Sequence, residues 1–269
     1  MSKRKLYSIA AILIILGVYA YEHFIVEEEK TETVLEGKTV KSNTNKYFLP
    51  TSTTGQIVHH KGYSLSYSEA YEQAEWVAYE LQKSHLSKTN YKRPYFEIDE
   101  SVETGAADWR NYKNSGFDRG HLCPAADRSY NQCIHDETFL TSNISPQEHE
   151  FNAGIWNTLE QKVRYWASKY NGVFVVTGGV LETGLKTIGY EEVAVPNQFY
   201  KIILDNNNGN VKMIAFLLSH KNSNAPLYSF VVSVDDIESL TGIDFFPNLD
   251  DSLENAIEAS VSYKDWSFY

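Results

Sequence analysis

Cysteine is scarce in this sequence: 269 residues hold two, Cys123 and Cys133. That excludes a disulfide-stapled scaffold and leaves room for at most one Cys123 to Cys133 bond, which stands open against two free thiols. His121, Cys123, Cys133 and His135 could be offered to tetrahedral Zn²⁺. The usual Cys-x₂₋₄-Cys knuckle is absent, however, and a zinc-bound His121 could not act as a free base. Positive charge is also short, with 24 Lys and Arg against 35 Asp and Glu and a formal net charge of -11. No broad basic stripe of the kind used for polyanion binding can be drawn on such a chain. Internal repeats, a phosphate-cradling Gly-rich loop and a Gly-x-Ser-x-Gly elbow are all missing, which excludes solenoids, P-loop enzymes and α/β-hydrolases.

Long apolar runs are limited to one. Lys3-Arg4-Lys5 precede Leu6 to Tyr21, which hold no charge, and Glu22, Glu27, Glu28 and Glu29 follow. This reads as an export segment, residues 1–26, with the positive end cytoplasmic and the body outside. Val18-Tyr19-Ala20 would suit cleavage to a periplasmic or secreted protein, whereas the run, slightly short for a span, becomes an uncleaved membrane anchor if Phe24, Ile25 and Val26 extend it with Glu22 and His23 snorkelling. Both outcomes stay open. Residues 27–54 are polar and aperiodic and read as a flexible tether.

Residues 55–269 then form one sizeable domain, since 42% apolar and 14% aromatic residues can fill a core. Alternating or continuous apolar segments predict strands at Ile57-Val58, Tyr63 to Tyr67, Val173 to Thr177, Glu192 to Val195, Phe199 to Leu204 and Val211 to Ser219. Helices are expected over Glu69 to Lys83, with Trp76, Tyr79 and Leu81 inward, from Asn152 to Ala167, over Asp235 to Leu240 and over Leu253 to Ala259. The pattern is α+β, with a central antiparallel sheet flanked by helices.

Asp118-Arg119-Gly120-His121 brings together a neutral-pH base and a guanidinium. His121 is suited to draw a proton from water, and Arg119 to grip phosphate or balance transition-state charge. Further on come Ser142-Asn143-Ile144-Ser145-Pro146-Gln147 and then Asn152, Gly154, Trp156, Leu159 and Glu160 at fixed spacing. Together these blocks resemble the DNA/RNA non-specific endonucleases, the ββα-metal or His-Me finger nucleases, over about Gly62 to Pro247.

The resemblance implies an enzyme that hydrolyses phosphodiester bonds of DNA and RNA with Mg²⁺, for which Mn²⁺ could substitute. Asn152 would be the metal ligand, Glu160 would orient metal-bound water, and Arg164 would contact phosphate. Arg93 is a further phosphate contact, and Asn143 is placed on the substrate side as a group that steadies the site. Asn152 could instead be a helix N-cap, and Glu160 with Arg164 a surface ion pair of little value. Residues 1–26 carry +2, so the remainder sits near -13. Substrate binding therefore needs a local positive groove, drawn from Lys92, Arg93, Arg110, Lys113, Arg119, Arg128 and Arg164. The rival from another class is a catalytically silent nucleic-acid-binding module on the same fold. Oligomeric state is not legible in the sequence.

Overall fold

The structure, a computed structural model, describes residues 48–86, 89–206 and 211–268. The expected export segment, the tether up to residue 47 and most of the Asn206 to Gly209 turn lie outside the described residues. Among those described, no helix is long and apolar enough to cross a membrane.

The elements in chain order are β1 (Ile57–His59), β2 (Ser64–Ser68), β3 (Gln73–Gln82), β4 (Asp118–His121), α1 (Gln132–Glu137), β5 (Ile144–Gln147), α2 (Asn157–Lys169), β6 (Gly172–Gly179), β7 (Lys186–Ile188), β8 (Val193–Val195), β9 (Gln198–Asp205), β10 (Lys212–Ser219), β11 (Val231–Val232), α3 (Val234–Thr241) and α4 (Asp251–Glu258). Seven strands make one sheet in the order β1-β2-β3-β6-β9-β10-β11, antiparallel at every pairing. β4 with β5, and β7 with β8, are separate antiparallel pairs.

Period-2 geometry sends alternate side chains of the sheet into two different cores. Phe199 and Ile203 of β9 join Leu159, Val163 and Trp166 of α2 on one face, while Ile202 and Leu204 join Val234 and Ile237 of α3 on the other. Strands buried on both faces read as continuous apolar runs.

That double burial explains why the expected helix over Glu69 to Lys83 is absent. Residues 73–82 are the ten-residue strand β3, paired with β2 and β6. Trp76 packs into the core beneath α3, whereas Tyr79 and Leu81 pack into the core beneath α2. Three large apolar residues assigned to one helical face thus divide between two sheet faces. The expected tether also ends earlier than residue 54: Phe48 and Leu49 are buried, Phe48 lies 4.2 Å from the Phe174 ring, and the Trp76 indole donates to the Thr51 carbonyl at 2.8 Å. Two adjacent apolar residues are enough to seat that stretch on the sheet.

Candidate active site

The site is built on the β4–β5 pair and the helical segment that follows it. β4 is Asp-Arg-Gly-His itself, registered so that Gly120 faces Ser145 and His121 faces Ile144. Gly120 is required sterically, because a Cβ there would lie 2.2 Å from the buried Gln147 side chain. Arg119 and His121, two residues apart, point to the same side of the strand.

His121 is partly exposed, yet its Nε2 is buried and without a hydrogen-bond partner. Its ring stands edge-on to Phe139 at 4.8 Å and 5.7 Å from Phe96. Burial, then the charges of Arg93 and His135, push the imidazole down to about 3. At neutral pH it is the free base. Arg119 donates through Nε and Nη2 to the Trp109 carbonyl, at 3.3 and 3.2 Å, which commits two of its five donors. Arg93, Tyr95, Phe96, Trp109 and Arg119 line a cavity of about 510 Å³ beside His121, with Tyr95 91% exposed.

Asn152 is not an N-cap. It has helical dihedrals (φ -59, ψ -51) between a helical turn at His149–Phe151 and a π-helical segment at Asn152–Trp156 that leads into α2. Its Nδ2 donates to Asp118 Oδ2 at 3.0 Å, and the same oxygen is 2.9 Å from His149 Nδ1. A carboxylate can only accept, so Asp118 must face the amide nitrogen, which turns Asn152 Oδ1 outward as a hard oxygen donor. The donor set therefore fits a single divalent cation completed by waters and phosphate oxygens.

Glu160 and Arg164 form a second group. Their side chains are 15% and 21% exposed and 4.0 Å apart, so the surface-pair reading does not hold. Arg164 bonds Asp127 Oδ1 at 2.8 Å, and the Tyr79 hydroxyl donates to Asp127 Oδ2 at 3.0 Å. Beneath them lies Lys201, fully buried in β9, with its ammonium 3.1 Å from Thr177 Oγ1 and 4.5 Å from the centre of the Trp156 ring. Burial pushes Glu160 up and Lys201 down, and their mutual attraction opposes both shifts. Trp156, one turn before Glu160 and one turn after Asn152, ties this group to the first.

Two expectations need correction. Asn143 is fully buried and bonds only backbone: Oδ1 accepts from the Cys123 amide at 2.8 Å, and Nδ2 donates to the Cys123 and Thr138 carbonyls at 3.0 and 2.8 Å. It steadies the loop behind β4 and cannot touch substrate. Arg128 is also fully buried, over the Tyr79 ring at 4.6 Å, and drops out of the positive groove. The four Cys and His residues do not gather as a zinc site among the described residues: both cysteines are free thiols, and His135 Nδ1 bonds Asp136.

Sequence reading missed Asp127, Lys201 and Asn222, whose Oδ1 accepts from the Ile155 amide at 3.0 Å in the turn after Asn152. Lys201 had a signal, a lone cation inside an apolar strand. Asp127 and Asn222 had none, since short acids and amides in loops are ordinary.

Residues 40–252 match the DNA/RNA non-specific endonuclease family. Similar proteins include the mitochondrial nuclease EXOG of Danio rerio, 35% identical over 254 residues, covering 87% of this chain and 72% of that one. The mitochondrial endonuclease G of Homo sapiens is 32% identical over 219 residues, covering 76% and 73%. Among solved structures, a crystal structure of the EndoG/EndoGI complex aligns with a TM-score of 0.68 at 31% identity, covering 72% of this chain and 86% of that one.

Proposed function

The chain belongs to the DNA/RNA non-specific endonuclease family, and from that membership we propose that it is a Mg²⁺-dependent endonuclease that cuts DNA and RNA without regard to the sugar, and from Lys3-Arg4-Lys5 and the uncharged run Leu6 to Tyr21 that it is exported. It is a phosphodiester hydrolase of a metal-dependent family. The observation that carries the residue assignment is the pairing of a neutral His121 with an Asn152 whose oxygen Asp118 turns outward.

Asn152 Oδ1 would hold the cation, which would supply charge stabilisation for the scissile phosphate and the leaving 3′ oxygen. The His121 imidazole takes the proton of the attacking water, and Arg119 and Arg93 balance charge on the phosphate oxygens. Glu160 orients water, while Arg164, already bonded to Asp127, fixes the surroundings of Glu160 rather than gripping substrate. Products carry 5′ phosphate. In the cavity of Arg93, Tyr95, Phe96, Trp109 and Arg119, aromatic faces stack on any base and guanidinium groups meet any phosphate. Neither contact reads the 2′ position, which accounts for tolerance of both sugars.

Incubating the full-length chain with circular DNA and with RNA tests the reading. Both are cut with Mg²⁺, and EDTA stops both; cleavage that survives EDTA overturns the mechanism, and no cleavage of any nucleic acid leaves a silent binding module. Export is tested separately, by protease treatment of intact cells and amino-terminal sequencing of the mature chain. A start after Ala20 means cleavage, and an intact terminus in the membrane fraction means an anchor.

A further inference from the structure

On the sheet face away from α2, α3 and α4 bring carboxylates together, and among the described residues none of these carboxylates is ion-paired with a Lys or Arg. Asp235 and Glu238 of α3 and Glu258 of α4 each place an oxygen within 4.8 Å of the other two. Clustering alone is ordinary on an acidic surface. Glu258 makes this cluster different: it is 5% exposed, and its Oε1 is buried without a hydrogen-bond partner. Glu258 is also the last residue of α4, where the negative helix end adds to the repulsion. Four charges press on it, Glu238, Glu254, Asp235 and Asp244, and every one is a carboxylate. Glu254, one turn earlier, likewise buries Oε1 unpartnered.

A buried carboxylate ringed by carboxylates must either hold a proton or meet a cation. Without a cation, burial and those neighbours hold Glu258 up at about 9. A cation removes the conflict for all the carboxylates at once, and three oxygens this close suit a coordination shell of roughly 2.3 to 2.6 Å radius. Glu238 is already fixed, since its Oε1 accepts from the Phe245 amide at 2.8 Å. Asp235 is exposed and leaves the cluster open to entry from solvent.

We propose that Asp235, Glu238 and Glu258 form a second divalent-cation site, separate from Asn152 and of the Ca²⁺ type, that fastens α4 to α3. Ca²⁺ is favoured because it accepts several carboxylates in irregular geometry, whereas Mg²⁺ demands a near-ideal octahedron and keeps its waters. The ion would act on the attachment of the carboxyl-terminal helix, not on chemistry across the sheet.

The test is a Ca²⁺ titration of the full-length chain, read both as binding and as the thermal unfolding midpoint. Wild type, Glu258→Gln, Asp235→Asn and Asn152→Ala are compared. Ca²⁺ is expected to raise the midpoint of wild type and of Asn152→Ala alike, and Glu258→Gln to abolish that rise. Asp235→Asn should weaken Ca²⁺ binding about tenfold. If Glu258→Gln does not fold, the exposed Asp235→Asn decides alone, and unchanged affinity overturns the site. So does a Ca²⁺ response lost in Asn152→Ala but kept in Glu258→Gln, or a wild-type chain that binds no Ca²⁺ at millimolar concentration.

Discussion

A base held at about 3 inside a chain that unfolds to an ordinary histidine makes His121 a source of acid instability as well as of catalysis. As pH falls, the unfolded chain takes the proton first, below the ordinary histidine value of 6.5. Its contribution to stability is therefore complete above 6.5 and is lost as pH falls toward 3. His121→Gln should abolish turnover yet lose less stability than wild type between neutral pH and about pH 5, as read from urea midpoints. His121→Ala should lower kcat by about 10² to 10⁴. The acid limb of kcat/KM should fall below the usual histidine range, and an inflection at or above 6.5 would contradict the assignment. Asp118→Ala removes the acceptor that turns the Asn152 amide, and the Mg²⁺ needed for half-maximal rate should rise about 10- to 100-fold. His121, Arg119 and Asn152 stand in the motif blocks that carry the family resemblance, whereas Arg93 has no fixed spacing to them and only the fold brings it beside Arg119. Asn143 was misplaced because an amide looks the same whether it faces substrate or is spent on the carbonyls of Cys123 and Thr138.

The entry to α2 shows what spacing could not reveal at the level of elements. Gly154 leaves helical geometry (φ -97, ψ -111), and a Cβ there would stand 2.2 Å from Asn222 Oδ1, the atom that accepts from the Ile155 amide at 3.0 Å. A loop after β10 thus holds the turn that carries Asn152. Gly154→Ala should cost about 1–3 kcal/mol and reduce kcat by more than the loss of folded protein explains. Asn222→Gly removes the clash together with the bond, so the double variant should be less damaged than the two losses combined; strict additivity in a double-mutant cycle would separate the two residues. The helical face of Leu159, Val163 and Trp166 was readable because one side of α2 is wet. β3 was not, because a strand buried on both faces has no polar alternation, and its aromatic residues imitate a helix by accident of spacing. Lys201 was overlooked for a related reason: it sits in β9 among apolar neighbours whose pattern it interrupts once.

At the scale of the whole molecule, a chain near -13 outside its first 26 residues must approach a polyanion. The sheet divides that charge: α2 covers the face that carries the site, and the acid-capped α3 and α4 cover the other. Long-range attraction from the molecule as a whole is then absent, so binding rests on the few arginines beside His121 and should be weak and markedly salt-sensitive. Asp251→Lys, on the α4 face, should tighten DNA binding without raising kcat/KM, at a stability loss of about 0.3–1 kcal/mol from reversing charge at a helix start. A parallel rise in kcat/KM would show that approach from that side is productive. The division of faces by one sheet thus has a kinetic meaning. With the acidic first turns of α3 and α4 on the face opposite the site, approach of a nucleic acid from behind is disfavoured, so encounters are sorted by orientation before any contact forms.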